Sequence, residues 1–482
     1  MSEFTTDLSA LHTPMSTSPL DAAVRAILDY IQSQEDSPFI SINVFDNPTF
    51  QEKSLFSDIP QEFKVAVLDA ASDARIQGDK LLSRSIGSMV GMAIADSLGH
   101  YFEFENVQDD VFDQSPHIEY PCEGYPGGKV RNYPYGDDSV VGQFMLRQGQ
   151  WTDDASMALC IADSLLTRNV YDGSNIRIWF WNWFNNGLNN AFRNDRERAE
   201  KYAGFFGSSL SVGLGGNIAK SLSASEMTVG CIPTPRFEAP GEDAGNGSLM
   251  RLAPIPLHFH RNIAEAREMA AESSLTTHPG RLAAEACALM AHIIVRALSR
   301  DSSDQTVAGA AASGVTDSAP ESAASFLDAV CKEYEDLIES SPKPMHAAKE
   351  EILRLLRYHE PDSSTERCWN WKAIRLEIKR TIANRGASYN GYPVSPGYFG
   401  AFSIDGLAMA LHCFYRTNSF NEAIVRVINF CGDSDTTGSI CAQMAGAYYG
   451  IEEIDEEWIR RLNRWDEREI ELRAILLCMA RR

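Results

Sequence analysis

The sequence predicts an all-α protein, and three observations carry that prediction. Apolar residues recur at three- and four-residue spacing through most of the chain. No segment alternates apolar and polar residues with period two for long. Clusters of Gly and Pro separate the periodic runs, and no fixed-period repeat links them. A chain of 482 residues is long enough for one large domain with insertions, or for two to three smaller ones.

Met1 to Leu20 is rich in Ser, Thr and Pro and is expected to be disordered. From Leu20 to Gln34 the residues Ala22, Val24, Ile27, Leu28 and Ile31 fall at helical spacing. Pro38 to Val44 reads as a short strand. Residues 1–75 are therefore expected to form an N-terminal extension, partly disordered, ahead of the main body at 76–482. The helical pattern returns at Phe63, and Leu81 to Leu98 is a strong apolar helix. Gly87 and Gly91 give that helix a flat face suited to close packing.

Between Phe104 and Gln150 the chain is full of Gly, Pro, Tyr and Asp, as in a lid or binding loop, and residues 105–149 are read as a loop insertion. Helices follow near 152–167, 174–192, 207–222, 263–274 and 280–299. The run Trp179-Phe180-Trp181-Asn182-Trp183-Phe184 reads as core packing. Residues 301–325, rich in Ala, Ser and Asp, have little to bury and read as a mobile insertion. Further helical patterns lie near 326–358, 367–384, 403–415, 419–429, 436–450 and 455–477.

Composition narrows the function classes. A net charge of −23 argues against binding a nucleic-acid duplex. An anionic small substrate would have to be held by metal ions, helix N-termini and backbone amides. Apolar runs are short and interrupted, so no transmembrane helix or membrane partner is expected, and no secretory signal opens the chain. Ten cysteines without a Cys-x-x-Cys pair read as reduced thiols of a cytoplasmic protein, the nucleus being left open. No feature sets an oligomeric state.

Two acidic clusters carry the chemistry. Trp151-Thr152-Asp153-Asp154 and Gly432-Asp433-Ser434-Asp435-Thr436-Thr437 each pair two carboxylates with a threonine hydroxyl at a helix start. Such a sequence is ordinarily an N-cap with favourable charges in the first turn. Joined by the fold, the two sets would offer six hard oxygen donors, enough for two divalent cations such as Mg²⁺ or Mn²⁺. Asp96 is a lone acid late in an apolar helix and needs partners if buried. Gly99 can end that helix, and Glu103 emerges just beyond, where it could move. Gly245-Asn246-Gly247-Ser248-Leu249-Met250-Arg251 is a tight glycine loop whose amides and Ser248 could cradle a phosphate, or simply a turn. Gly213-Leu214-Gly215-Gly216-Asn217 has the same ambiguity. Thr277-His278 places a histidine between two helices. Gly438, Ala442 and Gly446 form a small-residue stripe suited to a helix buried at the centre of a bundle.

Together these segments resemble the ADP-ribosylglycohydrolase family, over roughly residues 80–300 and 385–455. The resemblance is carried by Ala95-Asp96-Ser97-Leu98-Gly99 with Glu103, by Trp151-Thr152-Asp153-Asp154, by the 245–251 loop, by Thr277-His278, and by Gly432-Asp433-Ser434-Asp435-Thr436 with Ala445-Gly446-Ala447-Tyr448-Tyr449-Gly450. Ala95 and Cys431 stand where the family usually has Gly; neither change removes a ligand. The resemblance implies a compact helical fold with a two-metal site in a central cleft. Its implied ligands are Thr152, Asp153, Asp154, Asp433, Asp435 and Thr436, for two Mg²⁺ or Mn²⁺ ions. It implies contacts to substrate from Asp96, Gly215, Gly216, Asn246, Gly247, Ser248, Arg251 and His278. The implied reaction is cleavage at ribose C1″ of ADP-ribose conjugates, such as ADP-ribosylated proteins, with Asp433 activating water and Glu103 as a mobile acid. An inactive ADP-ribose-binding protein on the same fold, or a metal-dependent phosphohydrolase acting on ADP-ribose, are the alternatives.

Overall fold

The computed structural model describes residues 18–34, 53–107, 140–195, 211–224, 226–227, 231–240, 244–300, 321–340, 348–358, 367–385, 388–389, 392–393 and 398–481. Among these residues lie seventeen α-helices and two two-residue hairpins, Val140–Val141 with Leu146–Arg147 and Ser388–Tyr389 with Tyr392–Pro393. The all-α expectation holds. The strand expected at Pro38 to Val44, most of the Met1–Leu20 segment expected to be disordered, most of the 105–149 loop and most of the 301–325 insertion lie outside the described residues; the described ends of two of them are helical, since α-helices begin at Pro19 and at Ala323.

Two helices form the axis of the molecule: α3 (Lys80–Gly99) and α15 (Ser434–Tyr449). They run antiparallel with almost no side chain between them. A Cβ on Gly446 would sit 2.1 Å from the Gly87 carbonyl oxygen, and one on Gly99 would sit 2.4 Å from the Asp435 Cα. Only glycine permits that approach. Serines complete the seam: Ser88 donates to the Gln443 carbonyl at 2.9 Å and Ser434 to the Gly99 carbonyl at 2.9 Å. The small-residue spacing therefore does what it predicts, and it brings the C-terminus of α3 against the N-terminus of α15.

The other helices wrap this pair. In chain order they are α1 (Pro19–Ser33), α2 (Gln61–Ile76), α4 (Asp153–Arg168), α5 (Gly173–Asn186), α6 (Gly216–Leu222), α7 (Pro254–His258), α8 (Ile263–Leu275), α9 (Arg281–Leu298), α10 (Ala323–Ser340), α11 (Lys349–Arg357), α12 (Ile378–Arg385), α13 (Ser403–Tyr415), α14 (Phe420–Ile428), α16 (Glu456–Asp466) and α17 (Glu469–Met479). One apolar core runs through them. α1 turns Leu20, Val24, Ile27 and Ile31 inward and packs on α2, α4 and α17. The N-terminal helix thus lies on the helical body.

Several expected helices are shorter or divided. The pattern at 326–358 is two helices, α10 and α11, with Pro342 and Pro344 in the sequence between them. The pattern at 455–477 breaks at Glu467 and Arg468, whose φ values are 56° and 64°. α5 stops at Gly187, whose left-handed φ of 71° turns its N–H back onto Trp183. Of 367–384 only α12 is helical. The preceding residues are irregular and sink Trp369 and Trp371 into the core, with their indole N–H groups on Asp405 and the Leu355 carbonyl.

Candidate metal centre and cavity

Asp96 explains how three helix ends meet. Its carboxylate is fully buried and accepts the Thr152 N–H at 2.9 Å, the Thr152 hydroxyl at 2.8 Å and the Ala155 N–H at 3.0 Å. An acid in the last turn of α3 therefore caps the first turn of α4, where orphan amides and the helix dipole favour a negative charge. Thr152 makes no cap of its own. The cap sets Asp153 and Asp154 at the N-terminus of α4, facing Asp433 and Asp435 at the N-terminus of α15.

Glu103 joins from the segment after α3. Backbone bonds from Phe104 N–H to the Gly432 carbonyl (3.1 Å) and from Gly432 N–H to the Glu105 carbonyl (3.0 Å) hold this segment beside Asp433. Ligand oxygens of Asp96, Asp154 and Asp435 lie within 4.8 Å of one another, and so do those of Glu103, Asp433 and Asp435. Asp435 belongs to both groups. Distance in sequence, close to three hundred residues, is spanned by the α3–α15 seam.

These acids crowd one another, and the aspartates are buried. Burial pushes the Asp96 carboxyl up to about 6 and the Asp153 carboxyl up to about 7, the latter helped by the neighbouring Asp96 charge. Burial, then neighbouring carboxylates, hold Asp154, Asp435 and Glu103 well above the usual range. Glu103 and Asp435 oxygens lie within 4.8 Å of each other, so each carboxylate disfavours the charge on the other. Neither oxygen of Asp154, 1% exposed, has a hydrogen-bond partner among the described residues. Buried carboxylates without partners are costly. A divalent cation with oxygen preference removes that cost, and the donor set here is all oxygen. The residues fit such an ion.

A cavity of about 750 Å³ opens over the acids. Glu103, Asp153, Asp433, Asp435 and Thr436 line one end. Gly215, Gly216, Asn246, Gly247 and His278 line the walls. Asn246 Nδ2 donates to Asp433 Oδ2 at 2.6 Å and to the Gly400 carbonyl at 3.0 Å, fixing that acid's orientation. Burial lowers His278 to about 3, so its ring is neutral, with Nδ1 beside the Thr277 hydroxyl at 2.8 Å. Gly213 passes so close to Asp153 that a Cβ would lie 1.9 Å from Oδ1. No Lys or Arg is among the described walls.

Three residues expected to contact substrate lie off the cavity wall. Arg251 is 0% exposed, stacks 4.4 Å over the Phe180 ring and bonds to the hydroxyls of Thr276 and Thr277. Ser248 bonds to Ser274 and Cys287 beneath the loop. Asp96 sits behind the acids. None of the three is part of the cavity wall. Arg251 and Ser248 support the loop from behind, and Asp96 caps α4. Sequence reasoning also missed the aromatic rim of Phe104, Phe144, Phe184 and Tyr398. Phe104 stacks on Tyr398 at 5.4 Å, and the Tyr398 hydroxyl meets Asp433. Phe184 belongs to the aromatic run read as core packing, and the signal for the others was the aromatic content of the loops.

Among the described residues, no helix is long and apolar enough to cross a membrane. The ADP-ribosylglycohydrolase family model matches residues 77–481. The ADP-ribosylarginine hydrolase Tri1 of Pseudomonas putida is 23% identical over 80% of this chain and 75% of its own. The ADP-ribosyl-[dinitrogen reductase] glycohydrolase of Rhodospirillum rubrum is 22% identical over 82% of this chain and 95% of its own. The ADP-ribosylhydrolase ARH3 of Danio rerio is 24% identical over 78% of this chain and 86% of its own. The chain belongs to the ADP-ribosylglycohydrolase family.

Proposed function

We propose that this chain is a metal-dependent hydrolase that cleaves the glycosidic bond at C1″ of ADP-ribose conjugates, with ADP-ribosylated protein as the substrate class, and releases ADP-ribose. The observation that carries the reading is the meeting of buried acids, Asp154 among them without a hydrogen-bond partner among the described residues, beside a cavity large enough for a dinucleotide-sized ligand. The named relatives act on ADP-ribosylarginine and on ADP-ribosylated dinitrogen reductase, which supports the substrate class. A reducing cytoplasmic setting suits the nine described cysteines, all of them free.

Two ions, Mg²⁺ or Mn²⁺, would be held by Thr152, Asp153, Asp154, Asp433, Asp435 and Thr436, with Asp96 and Glu103 adjoining the two groups of acids. Bound there, the cations would supply charge to orient ribose hydroxyls and stabilise developing negative charge. The chain's own residues do the rest. Backbone amides of the loops at 213–217 and 245–247 receive the diphosphate, since no basic side chain lines the described walls. Asp433, aimed by Asn246, takes a proton from the water that attacks C1″. Glu103, whose burial and acidic neighbours favour its protonated form, gives its proton to the departing nitrogen or oxygen as the C1″ bond breaks.

Incubation with arginine- and serine-linked ADP-ribose, followed by mass spectrometry, tests this. Free ADP-ribose is the expected product. AMP with ribose phosphate would instead indicate a phosphohydrolase, and intact conjugate that stays bound would indicate a binding protein.

A further inference from the structure

Arg385 and Asp405 lie outside both acidic clusters, and neither lines the cavity. They form a bidentate pair, Nη1–Oδ2 at 2.5 Å and Nη2–Oδ1 at 2.9 Å, and each side chain is 2% exposed. The Trp369 indole N–H donates to the same carboxylate at 2.8 Å. The guanidinium also lies 5.0 Å from the centroid of the Phe399 ring. A buried pair with this much added support fixes geometry tightly.

What it fixes is the strand of chain at 398–402. The Phe399 carbonyl accepts the Asp433 N–H at 2.9 Å. The Gly400 carbonyl accepts from Asn246 Nδ2, and the Ala401 carbonyl accepts the Asn246 N–H at 2.9 Å. Gly400, at φ 112°, passes so near that a Cβ would lie 3.1 Å from the Asp433 Cβ. Asp433 and the amide that aims it are therefore both hung on a segment that Arg385 grips through Phe399, and that Asp405 continues into α13.

We infer that Arg385 and Asp405 are positioning residues for Asp433, acting through the 399–401 backbone; the inference rests on Asp433 belonging to the metal centre. Losing the pair loosens the segment, frees the Asp433 amide and widens the spread of the Asp433 carboxylate. Lysine at 385 keeps the charge but cannot reproduce the planar two-point contact or the stacking.

Hydrogen exchange and metal affinity test it together. Arg385→Met should raise amide exchange in a peptide spanning 430–434. It should also weaken Mn²⁺ binding, measured by calorimetry on the folded protein, by about 10- to 100-fold. Arg385→Lys should fall between it and the wild type. Leu353→Ala, a core change in α11 that removes none of the hydrogen bonds holding the 399–401 segment, serves as a control for lost stability and should leave both readouts at the wild-type level. Trp369→Phe removes one hydrogen bond only, and should show the same changes in smaller measure if Arg385→Met does not fold. Exchange at 430–434 and Mn²⁺ affinity no different from the Leu353→Ala control would overturn the inference. The exchange readout needs no substrate, so it stands or falls apart from the proposed reaction.

Discussion

Asp154 and Asp163 lie on the same helix, α4, and both are buried, but they are answered differently. Asp163 meets Arg473 in two bonds, Nε–Oδ1 at 2.7 Å and Nη2–Oδ2 at 3.0 Å, and accepts from Asn189 at 2.9 Å. Arg473 is itself backed by Glu469 and stacks 4.6 Å from the centroid of the Phe56 ring. Asp154 feels the charges of Asp96, Asp435, Asp153 and Asp433 and has no hydrogen-bond partner among the described residues. The chain can supply a buried cation where an acid serves structure. At the other end of the helix no ion pair to Asp154 is found among the described residues, and the excess of negative charge there is what an external cation would neutralise.

The sharpest way to break the contrast is to remove the acid shared by both groups. Asp435→Ala should abolish metal binding at one site and cut turnover by about 10³-fold or more, because the charge that orients substrate is lost. Full turnover in this variant after chelation and dialysis would contradict the two-ion reading. Asp163→Asn should act in the opposite sense. It leaves Arg473 a buried charge with weakened compensation, so stability should fall by about 3–5 kcal/mol in denaturant titration. Metal affinity of the molecules that remain folded should be unchanged. Glu103→Gln comes next: turnover should drop about 10²-fold with ADP-ribose affinity little altered, and wild-type turnover would remove Glu103 from the chemistry.

The N-terminus sharpens the same comparison from outside. Removing residues 1–60 would uncover the apolar faces that Leu20, Val24, Ile27 and Ile31 cover and take Phe56 from Arg473. A loss of several kcal/mol is expected from burial at about 25 cal/mol per Å², with little effect on metal affinity. A truncated chain as stable as the full one would show that α1 contributes nothing to the fold.

Much of this contrast is legible in the sequence, and the reasons are local. Gly87, Gly438, Ala442 and Gly446 announce a backbone-to-backbone seam because spacing alone sets a helix face. Thr-Asp-Asp and Asp-Ser-Asp-Thr announce helix starts because capping is chemistry between near neighbours. The partners are another matter. That Asp96 caps a helix beginning with Asp153, that Arg251 is a support beneath a loop, and that Arg385 grips Phe399 all depend on contacts between distant segments. The bend at Glu467 and Arg468 is hidden because helical spacing resumes in register on both sides.

The smallest expected effect is in pH. Asp96 and Asp153 have folded values of about 6 and about 7 against an ordinary 3.8. Between those limits the native state holds more protons than the unfolded chain, so the metal-free protein loses stability as pH rises through that window. Below it the stability is fully present. Bound cations hold the acids ionised and remove the loss. The melting temperature gained on adding Mn²⁺ should therefore widen from pH 4 to pH 7, and a constant gain would show that these acids do not face the metal.

The most direct measurement compares metal-free and Mn²⁺-titrated protein, wild type against Asp154→Asn, by calorimetry and thermal melting. The wild type should bind Mn²⁺ and gain thermal stability. Asp154→Asn should bind at least about 10-fold more weakly, as loss of a ligand to the ion requires, and its metal-free form should melt above metal-free wild type, because a buried uncompensated charge is gone. Equal Mn²⁺ affinity in the two proteins, or no binding by the wild type, would contradict the account.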